Sequence, residues 1–276
     1  MQAVAKVKRL CKIKKAGHTG TLDPLATGVL PICTGRATRI AQYLLASDKI
    51  YRTQLLLGIT TDTYDSEGKV LEEREVPELT EADLETVLQE YRGEIQQVPP
   101  AFSALKVKGK RAYELAREGK EVKLDPRTVT VHELKLEVFE PPFATLYCKV
   151  SKGTYIRSLI RDIGESLGCG AHMTQLRRLQ AGQHLIEDAI TFEELEANLD
   201  KFEGWMQSIP QALSHLPRVI LTEPETERLL HGQVIPSLYE KSPSTGPLHL
   251  AVTPEEELIA LLLPQEKGWK LQGVFN

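Results

Sequence analysis

The sequence predicts an α+β chain: a large domain over residues 1–209 in which helical and strand-like segments intermix, and a small, mostly β domain over residues 210–276. Three observations predict this. Apolar residues recur at helical spacing in some segments and at every second position in others. The character changes after about residue 210, where LPRVILTEPETERLLHGQVIP leads into the turn-rich KSPSTGP and then short apolar runs at 249–253 and 257–263. A length of 276 residues suits one large domain with a small one beside it.

The elements follow in order. Residues 3–15 place Val4, Val7, Leu10 and Cys11 on one side and most of their lysines elsewhere, a helix with a basic outer face. A glycine-rich loop, GHTGTLDPLATG, occupies 17–28, and 36–46 read as a helix. IYRTQLLLG over 50–58 reads as a strand with Tyr51, Thr53, Leu55 and Leu57 on one face, and TDTYDSEG as a turn. Thr80 can cap a helix over 80–92 that carries Leu84, Val87, Leu88 and Tyr91 on one side. The Pro-Pro pair keeps QVPPAFSALK out of regular helix, whereas RAYELARE makes a short one that Gly119 can end. Strands are predicted over 127–139 and 144–150, then a helix over 154–168 with the stripe Ile156, Leu159, Ile160, Ile163 and Leu167, terminated by Gly168. A further strand is predicted over 172–181, and Thr191 with Glu194 makes a capping box.

Composition narrows the function classes. The chain is 41% hydrophobic and 26% charged, ordinary for a globular protein, and has no apolar run of membrane-spanning length. The N-terminus lacks an apolar signal region, and Cys11, Cys33, Cys148 and Cys169 form no C-x-x-C pair, so a reducing cytoplasm is expected, with neither a disulfide framework nor a zinc site. The formal net charge of −4 hides an uneven distribution. Residues 1–60 carry ten basic against two acidic groups, and 145–182 carry six against two. Two positive segments on an otherwise acidic chain suit a surface that follows phosphates.

Asp23 stands out because nothing else in GHTGTLDPLATG ionises strongly except His18. Asp before Pro commonly starts a turn, and that role alone would explain it. Three other chemistries fail on the residues. The loop lacks the G-K-[ST] of a phosphate-binding P-loop, Tyr64 stands where a calcium loop needs an acid or amide, and no H-E-x-x-H is present. TGTLD is only superficially similar to the D-x-D-G-T-L motif of haloacid-dehalogenase-like phosphotransferases, because Thr19 stands in the nucleophile's place and the outer acid is absent.

A longer match holds. GHTGTLDPLATGVLPICTGRATR, DKIYR, GITTDTYDSEG, PPAFSALKVKGKRAYELAREG, SKGTYIRSLIRDIGESLGCGAH and LRRL stand in the order found in the tRNA pseudouridine-55 synthase (TruB) family, which the chain resembles over most of residues 5–180. The resemblance implies a mixed, mainly antiparallel central sheet with flanking helices and a PUA-like C-terminal RNA-binding domain. It implies conversion of uridine 55 in the T-arm loop of tRNA to pseudouridine: the uracil is cut from C1′, turned and rejoined through C5. Asp23 matches the family nucleophile, Tyr51 the tyrosine set against the target base and implicated in proton removal, and Arg157 the arginine paired with the aspartate. Tyr155 and Leu176 match residues lining the uridine pocket, His18 one that packs against the opened loop, and Asp65 an acid of the pocket network. Taken singly, Tyr51, Tyr155, Leu176 and His18 would read as packing or loop residues; the shared register argues for function.

These types suit the chemistry. An aspartate needs no base to become an anion, and an adjacent arginine can lower its pKa by roughly 1–3 units. The base must leave its stack, at a few kcal/mol, and an aromatic face returns about 1–3 kcal/mol. Lys152, Arg161, Arg177 and Arg178 are expected at phosphates, although Arg161 and Arg178 could equally bridge to nearby acids. No cofactor and no metal are implied. The expected partner is the T-arm stem-loop of tRNA, met by a monomer with no obligate protein partner and no membrane. Family members begin with a strand and a D-K-P-x-G-x-T-S-like motif before the first helix, whereas MQAVAK lies inside that helix; lower stability than a full-length relative is expected. The rival readings are a non-catalytic RNA-binding or RNA-folding protein of the same fold, against which Asp23, Tyr51 and Arg157 argue, and an aspartyl phosphotransferase, which the absent acid disfavours.

Overall fold

The computed structural model describes residues 2–107, 109–233, 245–266 and 268–275. They fall into two compact units, one of His18–Pro31 with Gln42–Ile190, the other of Met1–Gly17, Ile32–Ala41 and Thr191–Asn276.

The first unit is built on a seven-stranded sheet. Its strands are β1 (Thr27–Gly28), β2 (Lys49–Leu57), β3 (Gly93–Gln97), β4 (Arg127–Glu140), β5 (Phe143–Val150), β6 (Ala171–Ala181) and β7 (His184–Leu185). The spatial order is β7-β6-β2-β5-β4-β3, all antiparallel, and β1 adds to β6 in parallel. The sheet is therefore mixed and mainly antiparallel, as the sequence analysis expected. Period-two alternation explains β2: Thr53, Leu55 and Leu57 are buried and Arg52 faces out.

Helices Glu81–Glu90 and Ile156–Ser166 share one core with the sheet, through Leu84 and Leu88 from the first and Ile156, Leu159, Ile160 and Ile163 from the second, against Leu55, Leu57, Val131, Leu134, Leu146 and Met173. Full burial of such a side chain is worth about 1.5–3 kcal/mol. The Thr80 hydroxyl accepts from the Asp83 N–H at 3.2 Å and the Asp83 carboxylate from the Thr80 N–H at 2.8 Å, which starts the first helix where the sequence places it. Gly168, at φ +80°, ends the second.

Three predicted elements differ in detail. The helix expected over 3–15 stops at Leu10, because Lys12 turns to φ +53°. The helix expected over 36–46 is a 3-10 turn, Gly35–Arg39, followed by a short α-helix, Ala41–Leu45. TDTYDSEG is a turn, but inside a hairpin of Ile59–Thr61 and Val70–Glu73.

The second unit carries a four-stranded sheet of β8 (Arg218–Ile220), β9 (His249–Val252), β10 (Leu258–Gln265) and β11 (Gly268–Val274), with β8 parallel to β9 and the rest antiparallel. Its core gathers Leu221, Leu229, Ala251, Ala260, Leu262 and Trp269. The helix Glu223–Leu230, not singled out from sequence, packs there through Leu229. The capping box at Thr191 and Glu194 forms as expected. Lys6 of the N-terminal helix stacks on Phe192 at 4.6 Å and pairs with Glu196 at 3.0 Å. Of the turn expected at KSPSTGP, residues 241–244 lie outside the described residues. No helix among the described residues is long and apolar enough to cross a membrane.

Candidate active site

Asp23 does start a turn: its carbonyl accepts from the Ala26 N–H at 2.9 Å, with Pro24 in the second position, where its fixed φ fits. The same geometry frees the side chain, whose Oδ1 accepts from Arg157 Nη2 at 2.8 Å and Oδ2 from Arg157 Nε at 3.1 Å. This is a bidentate, side-on pair between residues 134 positions apart. The Arg157 side chain is 6% exposed and that of Asp23 is 27% exposed, so the acid presents an open edge while its partner is sealed behind it.

The rest of the guanidinium is accounted for. Nη1 donates to the Thr63 carbonyl at 3.0 Å and lies 3.6 Å from the Asp65 carboxylate; Nη2 also donates to the Phe102 carbonyl at 3.0 Å. Asp65 is buried and takes further bonds from the Thr63 hydroxyl at 2.6 Å and the Glu67 N–H at 3.1 Å. Between them, Tyr64 sits at φ +63°, a left-handed turn that aims both the Thr63 carbonyl and the Asp65 carboxylate at Arg157.

Arg157 lies in the first turn of its helix, and the Pro-Pro segment wraps that end. Gln97, 1% exposed, clamps the Tyr155 backbone from both sides, its Nε2 donating to the carbonyl at 3.1 Å and its Oε1 accepting from the N–H at 2.8 Å. The Ser158 hydroxyl donates to the Val98 carbonyl at 2.8 Å. A chain that cannot be helical has its carbonyls free for such work. Gln97, Thr63 and Phe102 escaped the sequence analysis. Two of them act through backbone carbonyls, which no residue type reveals, and Gln97 left only its place beside Pro-Pro as a sign.

Electrostatics correct one expectation. Arg157 was expected to hold the Asp23 carboxyl low. Burial pushes it up, more than the guanidinium pulls it down, and the like charge of Asp65 adds to the rise. Burial also raises the Tyr51 and Tyr155 phenols, both of which feel the Asp23 charge.

The remaining residues divide. Tyr51 stands between Cys148 of β5 and Arg178 of β6 in the sheet register. Leu176, 6% exposed, belongs to the core against which Tyr51, Leu25 and Ala26 pack. His18 accepts from the Gly20 N–H through Nδ1 at 3.3 Å; burial, with the Arg178 charge adding to it, lowers its pKa and favours the neutral ring. Lys152 and Arg177 are exposed, at a loop and on the face of β6. Arg161 pairs with Asp162 at 2.8 Å and stacks on the Tyr64 ring at 4.7 Å. Arg178 is only 1% exposed, so the phosphate contact expected of it has no surface to act through.

The arrangement offers one anionic oxygen edge, fixed from behind, beside two aromatic rings. Among the described residues no cluster of His, Cys, Asp or Glu could hold a metal ion.

Comparison with known proteins agrees on one family. Residues 8–156 match the TruB family pseudouridylate synthase N-terminal domain, and 157–221 match the tRNA pseudouridylate synthase B C-terminal domain. The chain is 48% identical over 239 residues to tRNA pseudouridine synthase B of Pseudomonas paraeruginosa, covering 85% of this chain and 78% of the relative. It is 49% identical over 234 residues to that of Chromohalobacter salexigens, covering 84% and 76%. Among solved structures it is similar to a chain of an H/ACA RNP bound to a substrate RNA containing 2′-deoxyuridine, with TM-score 0.76, 26% identity, and coverage of 100% of this chain and 80% of that one. A chain of a Cbf5-Nop10-Gar1 complex matches at TM-score 0.75 and 27% identity, covering 99% and 80%.

Proposed function

The chain belongs to the TruB family of pseudouridylate synthases, and from that premise we infer that it converts uridine 55 in the T-arm loop of tRNA to pseudouridine, with Asp23 as nucleophile. That it is an isomerase making pseudouridine in tRNA follows from curated relatives at 48–49% identity over most of their length; those relatives also disfavour an RNA-folding protein without turnover.

The observation that carries the residue assignment is the Asp23–Arg157 fork, with its buried arginine and accessible acid edge. In the reaction the N1–C1′ bond breaks and a C5–C1′ bond forms. N1 gains a proton and C5 loses one, so no atom is lost and neither oxidant nor hydrolytic water is consumed. Asp23 supplies the negative oxygen that takes up the electron-poor centre. Arg157 cannot give up a proton, so it orients Asp23 without competing as an acid. Tyr51 and Tyr155 supply faces for the unstacked uracil, and Tyr51 is assigned the removal of the C5 proton. Leu176 and His18 complete the pocket wall, Asp65 steadies Arg157, and Lys152 and Arg177, both exposed, follow phosphates.

The division of labour assigned to the chain is a catalytic domain over 1–209 and a PUA-like RNA-binding domain over 210–276. The protein acts as a monomer in the cytoplasm, without an obligate protein partner. The test is a T-arm stem-loop carrying 5-tritiated uridine. Tritium release mapped to the single loop uridine at position 55 supports the assignment; release only from another uridine overturns the choice of site.

A further inference from the structure

Arg178 is a large side chain withdrawn almost wholly from water. A buried guanidinium usually faces a carboxylate. Among the described residues none pairs with Arg178. Its Nε donates to the Val29 carbonyl at 2.6 Å and its Nη2 to the Gly20 carbonyl at 3.2 Å, and Tyr51, whose phenol feels the guanidinium charge, is its cross-strand partner.

The main chain of the same residue grips the same loop. The Val29 N–H donates to the Arg178 carbonyl at 2.9 Å, and Gly28 pairs with Arg178 as β1 joins β6. A Cβ at Gly28 would lie 2.1 Å from the Arg178 carbonyl oxygen, and Gly28 has φ +100°, so only glycine fits. Gly20 precedes Asp23 by three positions and Val29 follows it by six. Residue 178 therefore closes the Asp23 loop at both ends and stands across the strand pair from Tyr51. Its charge also reaches His18 and Lys49, whose ammonium burial and this charge hold down at about 8. A carboxylate partner would cancel that charge; two carbonyls solvate it and leave it acting on the pocket.

We propose that Arg178 is a positioning residue for the isomerisation: its buried guanidinium, solvated by loop carbonyls, holds the Asp23 loop and the Tyr51 phenol in one frame. This rests on the reading of Asp23 and Tyr51 as reacting groups. It differs from a phosphate contact, which would act on RNA affinity, and from simple core packing, which would act on folding alone.

The test uses the full chain with Arg178→Lys, which keeps the charge but cannot span both carbonyls, and Arg178→Met. On tRNA carrying 5-tritiated uridine, the Lys variant is expected to lose about 10²-fold in kcat, with KM and tRNA affinity within about threefold of the parent and a thermal midpoint within a few degrees. Hydrogen exchange of the Gly20–Val29 amides should quicken at least about tenfold in the same variant. Should Arg178→Met fail to fold, the Lys variant carries the test alone. Unchanged kcat with unchanged loop exchange overturns the proposal, as does a loss confined to tRNA affinity. A parent chain that releases no tritium sinks the assigned function instead, and loop exchange then decides the positioning role by itself.

Discussion

Asp23 does two jobs at once, and only one of them is readable from its neighbours in sequence. Asp-Pro announces a turn; that the same residue aims a carboxylate at Arg157, 134 positions on, needs the fold. Its pKa is the place where a residue-level expectation failed, because an arginine was weighed and burial was not. With the carboxyl pushed up and the ionised form active, activity should fall as pH drops through a midpoint above the ordinary aspartate value of about 3.9. The sign for stability is opposite: the protonated form is favoured by burial, so this contribution is complete below the unfolded value and is lost as pH rises through the raised folded one. Asp65→Asn removes the like charge, and the acid limb of the kcat profile should move to lower pH; a limb that stays in place contradicts the assignment of its cause. Arg157→Met leaves Asp65 and Asp23 without their shared cation. Losing one partner of a buried pair typically costs about 3–5 kcal/mol, so urea unfolding should show a loss of that order together with loss of turnover.

At the scale of elements, the strongly periodic segments were legible and the irregular ones that build the site were not. The stripe Ile156, Leu159, Ile160 and Ile163 foretells a helix and a core, and the structure has both. Ile163→Ala should therefore cost about 2–5 kcal/mol in equilibrium unfolding, whereas a value below about 1 kcal/mol would mean that the site collapses around the gap. QVPPAFSALK could be read only as not helical, because its contribution is made by carbonyls and by one glutamine amide. β1, two residues long, carries no period at all and exists because Gly28 lets it lie against β6. Gly28→Ala, which must both hold φ +100° and overlap Arg178, should lower the thermal midpoint and slow turnover; a variant indistinguishable from the parent would show that the close approach is not kept in solution.

For the molecule as a whole, charge distribution said more than net charge. A chain at −4 with two positive segments should bind RNA in a salt-dependent way. Lys152 and Arg177, the exposed members of the second segment, are expected to contribute to the slope. Replacing both with Gln should reduce the magnitude of d log K/d log [salt] for tRNA by about 0.7–0.9 per residue, with kcat little changed; an unaltered slope would place the phosphates elsewhere. Arg178, in the same LRRL stretch, looked equivalent from sequence. Alternation along β6 separates them, turning Arg177 out and Arg178 in. That one-residue difference decides which arginine meets RNA and which holds the pocket.

The central claim, that the Asp23 carboxylate is the reacting group, is tested most directly by single-turnover tritium release from 5-tritiated uridine tRNA with Asp23→Asn, alongside filter binding of the same RNA. The account predicts release reduced by at least about 10³-fold with affinity within about threefold of the parent. Release within tenfold of the parent at saturating enzyme would contradict it.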